Sequence, residues 1–305
     1  MSDAVAANFS CATISLLIVI LRAATTIWQG KERDTSFVLV VLSIVFIIAR
    51  IVINHYYLTF GTTNLVLDGN LTIYDPGLVR TGSILVLIAR IVLAAILWLQ
   101  MSILLLFYRR ILSGITAIAY LIRATWILLA ATFVGTIIAT LLECRPIDLY
   151  WQIDPHPGQC VRAYGQLLLQ GLSNIVIDIM LLVISFPIVT LQKRTLFQHL
   201  RLYCVFTLGT FCIVVTIVRV VLIFSTSSSQ ATRSVWASVQ IAVSTFVSNA
   251  PNIYGALRIV RRQKSSTPRG HHGSSAATDI PRRQRLPNST DVTRCLLVNV
   301  RVASK

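Results

Sequence analysis

Long apolar runs alternate with short polar or basic segments along the first 260 residues of the chain. A run of about 20 apolar residues can cross the hydrocarbon core of a bilayer as an α-helix. The runs lie at approximately 9–28, 37–60, 82–107, 117–142, 166–191, 202–224 and 234–257. The pattern therefore predicts an all-α, polytopic membrane protein in which residues 1–260 form a bundle of seven transmembrane helices.

The first run has a second interpretation as a signal peptide. No basic residue precedes this run, and the acidic residue Asp3 does precede it. The run is also longer than an ordinary signal-peptide core. We therefore expect it to be the first helix of the bundle.

The distribution of Lys and Arg predicts the orientation. The first, third and fifth loops hold seven basic residues, and the second, fourth and sixth hold four. Basic loops remain in the cytosol, so the N-terminus is expected outside and the C-terminus in the cytosol. The sequon Asn70-Leu71-Thr72 in the second loop would then face the lumen and accept a glycan.

Residues 261–305 have a different composition, rich in Ser, Pro, Gly, His and Arg, which is typical of a disordered tail. Of the 27 Lys and Arg residues, 11 lie between Arg258 and Lys305. The net charge of the chain is +16. Because so many of the basic residues lie in the tail, we expect them to bind an anionic membrane surface rather than nucleic acid. The predicted lipid-binding residues are Arg258, Arg261, Arg262 and Lys264.

Composition agrees with a membrane protein, since 55% of the residues are hydrophobic and 12% are charged, against about 25% charged in soluble domains. The sequence contains no zinc-ligand spacing, Gly-rich phosphate loop or nucleophile elbow. We therefore predict no metal and no catalytic residue.

The most specific local motif follows the fourth predicted helix. It reads Glu143-Cys144-Arg145-Pro146-Ile147, then Trp151, then Gly158-Gln159-Cys160. The motif resembles the fungal rhodopsin-like family of seven-helix membrane proteins, which includes the satratoxin-cluster membrane proteins and the appressorial surface-sensing receptors. Further matching features in the third, fifth, sixth and seventh helices are Gln100, Tyr108-Arg109-Arg110, Asn174, Asp178, Pro187, Gly209, Arg219 and Pro251.

The sequence departs from this family at two places. The paired acids that the family carries at the start of the second helix are Arg33-Asp34 here, and Gln240 stands where a Glu is common. Despite the family's label, a retinal Schiff base is not expected, because the four Lys residues (31, 193, 264 and 305) lie outside the predicted spans. No other cofactor is predicted.

Cys144 and Cys160 both fall in the fourth loop, which faces the oxidising side in the predicted orientation. A disulfide between them would close a loop of about 17 residues and stabilise the protein by roughly 3 kcal/mol in the chain-entropy model. The alternative is a pair of free thiols.

Four charged residues inside the predicted spans form a candidate ligand or charge cluster. Asp178 is the only acid in any span, and Arg50, Arg90 and Arg219 are expected to face it. We predict that Asp178 is ionised and paired chiefly with Arg219, or else with Arg90. The arginines either line a polar pocket for an acidic or polar ligand, or reach headgroups and loop acids without a ligand.

Two further groups each have two interpretations. Aromatic residues near the outer helix ends form either an interfacial belt or a ligand cage; they are Tyr56, Tyr57, Tyr150, Trp151, Tyr164 and Trp236. The segment from Asn249 to Tyr254 is either a receptor-type switch or a simple kink at Pro251.

Three classes of function are compatible with these features. The leading hypothesis is a receptor-like sensor, in the plasma membrane or otherwise an endomembrane, that binds a small extracellular molecule and contacts a cytosolic signalling protein. The alternative is an accessory membrane protein of a fungal secondary-metabolite pathway that binds, transports or scaffolds. A membrane-embedded terpene cyclase is disfavoured because arginines would hold the single interior acid ionised.

Overall fold

The computed structural model describes residues 2–30, 34–63, 66, 75–112, 116–152, 160, 162–190, 196–225 and 230–265. This part of the chain contains seven α-helices, one short 3₁₀ helix and no strand, which confirms the predicted all-α fold. The α-helices are α1 (Ser2–Trp28), α2 (Thr35–Phe60), α3 (Pro76–Ile111), α4 (Thr116–Leu142), α5 (Tyr164–Thr190), α6 (Leu196–Ser225) and α7 (Gln230–Ser265). The 3₁₀ helix is Ile147–Tyr150.

Five of these helices are long and apolar enough to cross a membrane: Val5–Trp28, Thr35–Phe60, Pro76–Ile111, Thr116–Leu142 and Tyr164–Phe186. The described part of α6 adds a shorter apolar stretch, Gly209–Leu222. The outward faces of α1, α2, α4 and α5 expose large apolar side chains, among them Leu17, Val45, Ile127 and Val183. Such faces are stable against lipid tails rather than water, so the chain is a multi-pass membrane protein.

Helix α3 lies at the centre of the fold. In the most apolar 18-residue segment of α3, 67% of the residues are buried, whereas the figure is 22% for the corresponding segments of α1, α2 and α4. Helix α3 packs on α2, α4 and α5. Inside this apolar setting each polar group needs a partner. The indole Nε1 of Trp98 on α3, for example, donates to the backbone oxygen of Leu129 on α4 over 2.9 Å.

The start of α3 follows ordinary capping rules. Pro76 occupies the first turn, where its missing N–H costs nothing. The carboxylate of Asp75 accepts a hydrogen bond of 2.8 Å from the backbone N–H of Gly77. The described helix therefore begins at Pro76, six residues before the apolar run that the sequence places at 82–107.

Two glycines allow the end of α2 to pack on α3. Gly61 ends α2 with a φ of +79°, a conformation that disfavours L side chains. A Cβ atom at Gly82 of α3 would overlap the backbone carbonyl of Gly61. Glycine at both positions therefore sets how closely these two helices approach.

The chain divides into two units, Met1–Arg258 and Ile259–Lys305. Asn70 lies outside the described residues, as do the side chains of Arg258, Arg261, Arg262 and Lys264. The glycosylation and lipid-binding predictions therefore stay predictions, as does the orientation.

Candidate functional site

The Cys144–Cys160 disulfide marks one end of the bundle. The two sulfur atoms are 2.11 Å apart and the two Cα atoms 5.3 Å apart, which confirms the predicted bridge. We call this end the disulfide end; α2, α4 and α6 finish here, and α1, α3, α5 and α7 begin here.

Glu143, next to the bridge, caps the first turn of α5. Its two carboxylate oxygens accept hydrogen bonds of 2.7 Å from the backbone N–H of Gly165 and 2.8 Å from that of Gln166. These N–H groups have no partner inside the helix, and a negative charge complements the helix dipole there. The end of α4 is thus tied to the start of α5 by charge-assisted hydrogen bonds as well as by the disulfide segment.

Three arginines lie over aromatic rings at the disulfide end. The guanidinium carbon lies 6.0 Å from the Trp151 ring centroid for Arg80, 5.9 Å from that of Tyr150 for Arg90, and 5.1 Å from that of Tyr164 for Arg233. Burial raises the pKa of Tyr150, and the adjacent Arg90 acts in the opposite direction. Three of the six aromatic residues predicted as a belt or cage therefore engage arginines.

Of the remaining three, Trp236 of α7 is half-buried, and the two tyrosines of α2 differ from each other. Tyr57 is buried and donates a 2.7 Å hydrogen bond to Ser234 of α7, whereas Tyr56 is exposed on the outside of α2. Only Tyr56 of this pair has the exposure expected of a lipid-facing belt residue.

A narrow cleft opens between α1 and α2; we call it the α1–α2 cleft. Its wall on α2 includes Arg50 and Asn54, and its wall on α1 includes Asn8 and Phe9. Its floor includes Ile96 of α3 and Ile241 of α7. A mostly apolar cleft with a few convergent polar groups has the usual composition of a ligand site.

Two buried polar atoms of residues that line the cleft have no hydrogen-bond partner in the described part of the chain. They are Nε of Arg50 and Oδ1 of Asn54, whose side chains are 6% and 7% exposed. Another nitrogen of Arg50 donates to the backbone oxygen of Ala89 on α3 over 3.3 Å. Unpaired buried polar atoms destabilise a fold, and these two are among several such atoms in the described part of the chain.

Arg50 and Arg219 of α6 are both buried. Arg219 is buried and donates to the side-chain oxygen of Gln240 on α7. Neither arginine forms an ion pair with a described residue: their acceptors are an amide oxygen and a backbone oxygen. Two buried positive charges are therefore held by neutral groups alone.

Asp178 does not pair with these arginines, and the prediction that it pairs with Arg219 or Arg90 is wrong. Its carboxyl group has no hydrogen bond or ion pair with a described residue, and it lies near Cys212 of α6 and Tyr108 of α3. The cause is the register of α5 against α6, in which Gly209 packs on Leu182 and Gly171 on Val220. Arg219 therefore lies about two turns, roughly 10 Å, along the axis from Asp178.

The predicted cluster of four thus does not form one site. Arg50 lines the α1–α2 cleft, and Arg219 donates to Gln240 of α7. Arg90 lies at the disulfide end with Tyr150, and Asp178 lies between α3, α5 and α6.

Substitution of Asp178 tests this arrangement. We expect Asp178→Asn to change the free energy of unfolding by less than about 1 kcal/mol, because the change keeps the shape and leaves no partner behind. Ile177→Asn, at the neighbouring and fully buried position, is the matched control and should lose about 2 kcal/mol or more. Thermal unfolding in detergent measures both. Equal losses in the two variants would contradict the absence of a partner for Asp178.

A buried polar group lies one helical turn beyond the floor of the cleft. Gln100 follows Ile96 by four residues on α3, and its side-chain oxygen accepts from Ser248 over 2.6 Å and from Asn249 over 3.2 Å. We call these three residues the Gln100 lock. It joins α3 to α7 just before Pro251, where α7 lacks a backbone donor.

Comparison with known families decides the classification. The fungal rhodopsin domain matches residues 21–258, which is most of the chain. The chain belongs to the fungal rhodopsin family. This match includes the Cys144–Cys160 motif, the α1–α2 cleft except for the first part of α1, and the Gln100 lock. The resemblance to the satratoxin-cluster and surface-sensing members stays a prediction. No curated protein and no solved structure matches significantly.

One departure of this fungal rhodopsin domain from the family pattern has a structural explanation. Gln240, where the resemblance leads one to expect a Glu, is the acceptor of Arg219.

Sequence reasoning singled out Arg50 but missed Asn54 and Asn8. Asn54 is four residues after Arg50 and so shares its helix face, a signal that the sequence contained. Asn8 accepts a 2.7 Å hydrogen bond from Ser238 of α7; nothing in the sequence indicates that contact, because it joins residues 230 positions apart.

Proposed function

We propose that this fungal rhodopsin protein is a receptor-like sensor that binds a small molecule in the α1–α2 cleft. The observation that supports it best is Arg50, a buried arginine in the cleft wall that has no acidic partner among the described residues. A negatively charged ligand group would neutralise this charge. We propose no catalytic role for any residue of the cleft.

The floor of the cleft supports a route from ligand to the other end of the bundle. Ile96 and Ile241 contact the cleft space, and each precedes a polar residue of α3 or α7 by one turn, Gln100 and Thr245 respectively. The Gln100 lock therefore moves if the ligand displaces these floor residues. Beyond it, Pro251 removes a helical hydrogen bond and makes α7 easier to bend. A cytosolic signalling protein at that end would read the change.

The test is an allele replacement in the source organism. Arg50→Gln is compared with Arg123→Gln, which changes the same residue type at an exposed site on α4. The sensor proposal predicts an altered transcript profile for Arg50→Gln alone, with both proteins present at wild-type level. Lost metabolite with unchanged transcription would overturn it and favour the alternative of an accessory protein in a secondary-metabolite pathway.

Orientation is a separate part of the proposal, because the cleft opens near the disulfide end and that end must face the source of the ligand. We expect a glycosidase-sensitive band shift that disappears in Asn70→Gln. Asn288→Gln, in a sequon of the predicted cytosolic tail, is the matched control and should keep the shift. The reverse result would invert the orientation.

A further inference from the structure

We propose that the start of α2 binds the headgroup of an anionic phospholipid, at the end of the bundle opposite the disulfide end. This site goes beyond the proposed sensor function and does not depend on it. Three observations support the inference: a helix start without a side-chain cap, a buried arginine beside it, and an exposed apolar stripe that continues from it along α2.

The start of α2 has no side-chain cap. Asp34 occupies the N-cap position, but its carboxylate makes no capping hydrogen bond. It accepts instead from Nη1 of Arg110, near the end of α3, over 3.1 Å. The first N–H groups of an α-helix have no partner inside the helix. Those of Thr35 and Ser36 therefore suit an acceptor from another molecule, and the helix dipole favours a negatively charged one.

A buried positive charge lies beside this helix start. Arg22 of α1 is 8% exposed, and its Nη2 donates to the hydroxyl oxygen of Ser36 over 3.3 Å. Its Nε has no hydrogen-bond partner, and its guanidinium forms no ion pair with a described residue. Because a buried charge without a counter-ion is costly, an anion held at the start of α2 would stabilise the protein.

The exposed part of the site is also basic. The side chain of Arg110 is 54% exposed and that of Asp34 is 45% exposed, and Arg109 is exposed as well. An exposed ion pair contributes little to stability, so Arg110 can exchange Asp34 for a phosphate without a large loss. The phosphate binds at the surface of the bundle and requires no cavity. A zwitterionic headgroup would bring a positive group towards these arginines, which favours an anionic headgroup.

The lipid-facing side of α2 begins at the same place. Thr35, Val38, Leu42 and Val45 are exposed, and their spacing of three or four residues places them on one face of the helix. An acyl chain can lie along the three aliphatic residues while the phosphate stays at Thr35. A soluble anion would gain nothing from this stripe, so the observations favour a phospholipid.

The site also lies at headgroup depth. Trp28, the last residue of α1, is exposed, and exposed tryptophans at helix ends are typical of the membrane interface. In the predicted orientation this end faces the cytosol, and the cytosolic leaflet is the one that carries anionic lipids.

The experiment uses the full-length protein purified in detergent micelles and counts bound lipids by native mass spectrometry. The probes are dioleoylphosphatidylserine and, as the zwitterionic reference, dioleoylphosphatidylcholine. We expect the protein to retain one phosphatidylserine molecule under conditions that release phosphatidylcholine. Arg110→Gln should weaken phosphatidylserine binding about fivefold or more, since one basic residue near a membrane surface contributes roughly that factor. Arg123→Gln, at an exposed site on α4, is the matched control and should leave binding unchanged. The basic tail is the same in every variant.

A second variant separates lipid binding from folding. Ser36→Asp places a carboxylate in the first turn of α2 beside Arg22, where it complements the helix dipole. Its thermal midpoint should equal or exceed that of wild type, while its phosphatidylserine binding falls to the phosphatidylcholine level. Phosphatidylserine binding that survives Ser36→Asp, or an equal loss in Arg123→Gln, would overturn the inference. Equal retention of the two lipids by the wild type, or displacement of phosphatidylserine by inorganic phosphate, would overturn it as well.

Discussion

Replacing Gln240 by leucine is expected to lower the free energy of unfolding by about 3 kcal/mol. The side-chain oxygen of Gln240 accepts from Arg219, and its nitrogen donates to Thr216 over 3.2 Å. Leucine fills similar space but leaves a buried guanidinium and a buried hydroxyl without these partners. Hydrogen bonds to charged groups contribute about 1.5 to 3 kcal/mol, and a charged group left unpaired costs more.

Replacing Gln240 by glutamate should instead stabilise the protein. Gln240→Glu places a carboxylate against Arg219, restores the residue expected from the family resemblance, and should raise the thermal midpoint above wild type. Phe246→Leu, at an exposed position on the same helix, is the control and should stay close to wild type. If the leucine and glutamate variants melted at the same temperature, Gln240 would not be the partner of Arg219 in the membrane.

Loss of the disulfide should have an effect of similar size. Its two cysteines are 16 residues apart, and opening a loop of this length costs roughly 3 kcal/mol in the chain-entropy model. The double variant Cys144→Ser/Cys160→Ser should therefore unfold at a lower temperature than wild type. Because Glu143 adjoins the bridge, the capping of α5 should weaken as well.

Reductant separates the bridge from other effects of the serines. Wild-type protein with reductant should melt close to the double variant, and the double variant should not respond to reductant. Cys11→Ser changes a free cysteine of α1 and should respond to reductant as wild type does. A reductant-sensitive double variant would contradict the assignment.

The helices and the disulfide were predictable because each depends on a local or coarse signal. An apolar run fixes a helix in the bilayer without reference to its neighbours. The bridge followed from the separation of loops by side of the membrane, since the fourth loop is the only one of the three predicted outer loops that contains Cys residues. The sequence needed no knowledge of helix packing for either conclusion.

The charge pairs were not predictable from depth along the chain alone. Asp178 and Arg219 are on helices joined by a short loop, yet the register of α5 against α6 separates them. Depth within a span also says nothing about rotation about the helix axis, and rotation turns Arg219 towards Gln240 of α7. The sequence did contain one signal for this contact. The family resemblance predicts a Glu at position 240, and a Glu there would suit a basic partner such as Arg219.

The close contact between Gly61 and Gly82 has a consequence for the evolution of this chain. Any side chain at position 82 overlaps the Gly61 carbonyl, and any side chain at position 61 must adopt the left-handed backbone region. Each position is therefore restricted to glycine by the local backbone, whatever residue the other position carries. In descendants of this chain both positions should stay glycine for as long as this helix junction keeps its geometry.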